Sequence, residues 1–215
     1  MILTIQNAIP TDASDVADKI VRRSLAKREG EYASEVRGLL DAALELMRER
    51  GTEARPRVAD IVAAAGLSND AFYRHFKSKD DLVAAILEDG AERLRGYLEH
   101  QMAKESSPEG QVRQWVRGVL AQAARESASA TLAVLWNASS AGGGLAAGRH
   151  FASTPLAPLL HEPFRELGST QPELDAALVA HGVLGLLSDW LWRQAVPTRS
   201  EVERVAEFCL RAVTR

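Results

Sequence analysis

Apolar residues recur three and four apart along most of the chain and nowhere alternate one by one with polar residues, a pattern that predicts helices and no strands. Val36, Leu39, Leu40, Ala43, Leu44 and Met47 share one side of a helix over Glu35–Arg50. Val58, Ile61, Val62 and Ala65 do the same over Arg57–Ala65, and Phe72 and Phe76 over Asn69–Phe76. A longer helix opens at Ser78 and runs to Met102 on Leu82, Val83, Ile86, Leu87, Leu94 and Leu98. Further helices are expected over Glu109–Glu126, Thr131–Ala138, Pro172–Ala195 and Ser200–Val213, and a weaker one from Ser14 with Val16, Ile20, Val21 and Leu25 on one face. Gly51, Ser106-Ser107-Pro108, the glycine-rich Ala141–Gly148, three prolines between Pro155 and Pro163, and Val196-Pro197-Thr198 break the pattern. Ser78 with Asp81, Thr170 with Glu173 and Ser200 with Glu203 have the spacing of capping boxes. The fold class is therefore all-α.

Arg57–Lys79 carries the most specific chemistry. Gly66 stands where a helix ends in a left-handed residue, Leu67 plugs the corner, and Ser68 is placed to cap the next helix. That helix turns Phe72 and Phe76 inward and Asn69, Asp70, Tyr73, Arg74 and His75 outward, which makes the unit a helix-turn-helix. The Asp60-Ile61 pair, Ala65-Gly66-Leu67-Ser68, and Phe72-Tyr73-x-x-Phe76-x-x-Lys79 running into Asp81-Leu82 resemble the DNA-binding segment of the tetracycline-repressor family of bacterial transcription regulators. The match is strong over about Glu35–Leu87; beyond it only helix lengths and order are similar.

The resemblance implies an N-terminal extension over 1–30, a helix-turn-helix domain over 31–80, and a helical domain for ligand binding and dimerisation over 81–215. It assigns Tyr73, Lys79 and His75 to the DNA backbone, and Arg57 to a phosphate at the start of its helix, where family members often carry threonine or serine. Ser68, the cap of the second helix, is included in the expected DNA-binding set, and base reading falls to Asn69, Asp70, Ala71 and Arg74; arginine suits guanine, asparagine adenine and aspartate cytosine. Asp70 also has a purely structural reading, as a carboxylate favoured at a helix N-terminus, and Ala71 replaces a frequent hydroxyl residue. The expected partner is a palindromic double-stranded operator. The basic residues Arg22, Arg23, Lys27 and Arg28 are open to two readings, an arm toward the minor groove or a tail without a role.

Charge sharpens this picture. The formal net charge of the 215 residues is −3, yet residues 18–30 and 55–79 together hold ten basic and four acidic residues, leaving 16 basic and 25 acidic elsewhere. Positive charge thus gathers on the face assigned to DNA. A single cysteine, Cys209, excludes an internal disulfide and fits the cytoplasm. No secretory signal pattern is seen, and the most apolar long stretch, Leu174–Trp192, carries Asp175, His181 and Asp189 and reads as a buried helix with no role in a membrane.

The remaining expectations concern the second half. Leu178, Gly182, Gly185, Leu187, Leu191, Val205 and Phe208 on the last two helices offer a homodimer interface in the form of a four-helix bundle, or simply pack on the preceding helices. Leu98, Trp115, Val119, Trp136, Phe151 and His181, with Leu94 and Phe164 nearby, are candidates to line a cavity for a small hydrophobic effector; Asn137, Arg149 and His150 are its candidate polar groups. The five histidines lack metal-site spacing, and no nucleophile elbow, phosphate loop or dinucleotide fingerprint occurs, so no catalytic residue, metal or cofactor is assigned. The rival expectation is a helical ligand-binding protein or enzyme of the same fold that no longer binds DNA.

Overall fold

The computed structural model describes residues 12–138 and 155–213, and among them are nine α-helices and no strand. They are α1 (Asp12–Arg50), α2 (Val58–Ala65), α3 (Asn69–His75), α4 (Lys79–Met102), α5 (Pro108–Leu120), α6 (Arg125–Ala138), α7 (His161–Glu166), α8 (Pro172–Trp192) and α9 (Arg199–Val213). The expected break between an extension and a helix from Glu35 is absent: α1 is one helix of 39 residues. Its good helix formers carry it through Gly30, since one glycine costs only about 1 kcal/mol. Residues 16–34 are exposed along their whole length, and burial begins only at Glu35.

Two apolar cores organise the rest. One gathers Leu39, Ala43 and Met47 of α1, Ile61 and Val62 of α2, Phe72 of α3, and Leu82, Val83 and Ile86 of α4. The other joins Leu98 and Met102 of α4 to Val112, Trp115, Val116 and Val119 of α5, Phe164 of α7 and the inner faces of α8 and α9. α4 belongs to both. So does α6, which the sequence did not suggest: Ala133, Val134 and Ala138 lie in the first core, while Leu132 and Leu135 pack on the second. A division at residue 80 follows the chain but not the packing.

Local chemistry fixes the ends. Ser78 caps α4 by accepting the Asp81 N–H (3.1 Å), and the Asp81 carboxylate accepts the Lys77 N–H (3.1 Å). At α9 the box forms two residues earlier than the spacing suggested. Thr198 and Glu201 exchange bonds, with the Thr198 N–H donating to the Glu201 carboxylate at 2.7 Å and the Glu201 N–H to the Thr198 hydroxyl at 3.3 Å. Glu203 instead ties α9 to α5 through Arg113 (2.9 Å) and Arg117, whose guanidinium holds its carboxyl below the usual range. At α8 the Thr170 box is replaced by Ser169, which accepts the Gln171 N–H (3.1 Å) and donates to Asp175 (2.5 Å). By length and composition α8 is apolar enough to cross a bilayer, but Ala176, Ala180, Val183, Leu187 and Leu191 are spent on the second core.

Candidate nucleic-acid interface

The interface starts from a corner. Gly66 has φ 67° and ψ 27°, a left-handed conformation that costs a residue with a Cβ about 1–2 kcal/mol. The turn it makes lets the Leu67 N–H close on the Val62 carbonyl at 2.9 Å. Ser68 then caps α3 by accepting the Ala71 N–H at 3.2 Å, so its hydroxyl is engaged with the helix. At seven residues α3 is too short to stand alone. Phe72, fully buried, and Phe76, with ring centroids 5.7 Å apart, anchor it to the first core.

This burial decides which residues face outward. Asn69, Asp70, Tyr73 and Arg74 are exposed, Tyr73 at 60%. Ala71 is buried: one position before Phe72, it turns with that ring into the core, so the expectation that it reads a base is corrected. His75 is also drawn inward. Only 8% of its side chain is exposed, its Nε2 lies 2.6 Å from the Glu35 carboxylate, and its ring meets Tyr32 edge-on at 5.4 Å. A carboxylate only accepts, so that nitrogen carries the proton. In this conformation His75 faces α1.

Arg74 shares the same carboxylate. Its Nη1 donates to both Glu35 oxygens at 3.1 and 3.4 Å, and its Cζ sits 5.8 Å from the centre of the Tyr32 ring. The histidine hydrogen bond, then the Arg74 charge, hold the Glu35 carboxyl below its ordinary range against some desolvation. Glu35 and Tyr32 were not singled out from sequence; forty residues separate them from α3, and no spacing rule spans that gap.

The flanks carry cations. Arg57 is extended and exposed at the start of α2, and its N–H donates to Asp60 at 3.1 Å. Asp60 in turn holds Arg50 of α1 at 2.8 Å, and these two donors depress its carboxyl pKa. Lys79 opens α4, half-buried; desolvation, then the charge of Arg55, hold its ammonium below the usual range. Arg55 lies over the Trp136 ring at 4.9 Å and donates to the Trp136 carbonyl at 3.2 Å. The segment between α1 and α2 is thereby fastened to α6.

The candidates for an effector site are placed differently from the expectation. Leu98, Trp115, Val119 and Phe164 are fully buried in the second core, and the Trp115 indole N–H donates to the Leu156 carbonyl at 3.1 Å. Trp136 packs edge-on against Trp192. Asn137 is buried and donates to the Ala133 carbonyl, and His181 is exposed, its Nδ1 2.7 Å from the Ala177 carbonyl. Phe151, Arg149 and His150 lie outside the described residues. A pocket of about 240 Å³ opens instead between α4, α6 and α8, bounded by Leu87, Leu94, Thr131, Val134, Leu184 and Ser188. Of the described residues considered from sequence for an effector site, only Leu94 lines it. Large aromatics fill cores solidly; the hollow forms where α4 and α6 present small residues such as Gly90, Ala91 and Ala130.

On the last two helices the expected interface residues divide. Leu178 (64%) and Phe208 (66%) are exposed with Gly182, and Gly185 and Val205 are half-buried. Leu187 and Leu191 face the other way, into the second core, and are removed from that surface.

Residues 39–86 match the family model described as bacterial regulatory proteins, tetR family. An uncharacterised HTH-type transcriptional regulator, YwcC of Bacillus subtilis (strain 168), is 40% identical over 83 residues, 37% of this chain and 34% of that protein. The chain thus aligns with about a third of the length of that curated relative. A tetR-family regulator structure from Mesorhizobium loti MAFF303099 superimposes with a TM-score of 0.61 at 17% identity, over 85% of this chain and 96% of that one. RolR, solved in complex with resorcinol, gives 0.63 at 18% identity, over 86% and 90%. Residues 39–86 are thus similar to the tetR family of bacterial regulatory proteins, and the described helices have the fold of solved regulators of that family.

Proposed function

We propose that this chain is a cytoplasmic, homodimeric transcription regulator that binds a palindromic operator and releases it when a small apolar molecule occupies the pocket between α4, α6 and α8. The observation that carries the DNA reading is α3 itself. It is capped by Ser68, pinned by Phe72 and Phe76, and shows Asn69, Tyr73 and Arg74 to solvent, flanked by Arg57 and Lys79. Tyr73 and Lys79 suit phosphate contacts, and Asn69 and Arg74 base edges. Asp70 sits in the first turn of α3, where a carboxylate favours the helix N-terminus.

Two copies are needed to read a two-fold site. Leu174, Leu178 and Leu186 along α8, with Phe208 of α9, form an exposed apolar stripe flanked by Gly182, which suits a bundle of four helices across a two-fold axis. For the effector, the pocket's size and its hydroxyls Thr131 and Ser188 favour a compact molecule such as a single-ring aromatic over a long acyl chain. RolR, of similar fold, was solved with resorcinol, a molecule of that class.

Selection of duplexes from a random pool tests the reading. Enrichment of a two-fold sequence is expected, with affinity falling steeply as salt rises. Failure to enrich any duplex would favour a protein of this fold without DNA binding. Fluorescence titration of small phenols, with and without the enriched duplex, tests the effector.

A further inference from the structure

The solvent face of α3 is backed by a residue with no place in the reading so far. Glu35, on α1, holds two consecutive side chains of α3 with one carboxylate: Arg74 through Nη1, and His75 through Nε2. Tyr32, one turn earlier, packs against both. The arrangement is selective about which edge of Arg74 it uses. Among the described residues the guanidinium bonds only through Nη1, and none of them meets its Nε–Nη2 edge. That edge presents two parallel N–H donors, the geometry that pairs with the O6 and N7 acceptors of guanine.

We infer that Glu35 is a specificity-determining positioning residue: by holding Arg74 through Nη1 against Tyr32, it fixes the Nε–Nη2 edge for one guanine of the operator. Three observations lead there. Arg74 is 44% exposed at its side chain, open to a partner while tethered. The tether comes from the long helix α1 and not from a loop, so it is stiff. His75 is buried on the same carboxylate, which locks the backbone of the last turn of α3 in register with α1. A free arginine must surrender its rotamer freedom on meeting a base; this one has already done so. Glu35 is a poor candidate for a direct DNA contact, since a carboxylate is repelled by phosphate, so its contribution acts through Arg74.

This inference rests on the DNA-binding reading, and a thermodynamic cycle separates the two. The operator is first selected with the unaltered dimer, and its guanines are replaced one by one. Discrimination is then measured for the wild type, Glu35→Gln, Arg74→Ala and the double variant. Arg74→Ala should abolish preference for one guanine per half-site. Glu35→Gln should reduce that same preference about tenfold, leave the slope of affinity against salt unchanged, and add nothing in the Arg74→Ala background. Should Glu35→Gln fold poorly, Glu35→Asp, which retracts the carboxylate by one methylene, is read in the same cycle.

The inference is overturned by discrimination unchanged in Glu35→Gln, by an equal loss with and without Arg74, or by a uniform gain in affinity for every duplex. The last would make Glu35 a competitor of DNA for Arg74. No guanine dependent on Arg74 would overturn it equally. If the wild type selects no duplex, the DNA reading itself fails.

Discussion

At the scale of single residues, conformation and ionisation each leave a measurable mark. Gly66→Ala places a Cβ on a left-handed residue with open space around it, so the cost is backbone strain alone. A loss of about 1–2 kcal/mol in urea unfolding is expected, with the turn retained. The Glu35 carboxyl, held below its ordinary value by His75 and Arg74, stabilises the fold above about pH 4.5. That contribution is lost as the pH falls through the lowered pKa, because protonation then costs the folded state its bonds. The stability gap between wild type and Glu35→Gln should close as the pH falls from about 4.5 toward 3. Cys209, buried with its thiol pushed up to about 11, should resist alkylation at pH 8 until the chain unfolds.

Helices and their junctions show what the sequence could and could not reveal. Gly66, Ser68, Phe72 and Ser78 were legible because turn and capping chemistry act within four residues. The inward turn of Ala71 and His75 was not, since it depends on α1 approaching from the far side. The pocket was missed for a related reason: aromatic side chains signal burial, whereas a hollow arises from small residues on three helices that meet only in the folded chain. The capping boxes at Thr170 and Ser200 were displaced by one or two residues because an earlier hydroxyl, Ser169 or Thr198, binds the backbone instead, at the Gln171 and Glu201 N–H groups. Packing between α4 and α5 offers a direct test. A Cβ on Gly118 would collide with the δ carbon of Leu98, itself fully buried. Gly118→Ala should destabilise by about 1–3 kcal/mol despite better helix propensity, read by thermal unfolding.

For the whole molecule, the two cores share α4 and α6, and the proposed effector pocket lies at that joint. Val134 and Leu135 line it, and Trp136 follows at once, holding Arg55 beside Lys79. A shift of α6 on filling the pocket would reach the DNA side through this contact. The two-fold assembly is tested from the opposite face. Phe208→Glu with Leu178→Glu places charges on exposed positions that support no core, so folding should survive while sedimentation shows a monomer. Affinity for a two-fold duplex should then fall by orders of magnitude, as linked binding is lost.

The length of α1 has a mechanical consequence. At 1.5 Å per residue its 39 residues span roughly 58 Å, and about half of that stands clear of the body. An uninterrupted backbone ladder behaves as a strut, so a load near residue 20 reaches Glu35 without being absorbed by a hinge. The free end is thus the long arm of a lever whose short arm grips the last turn of α3.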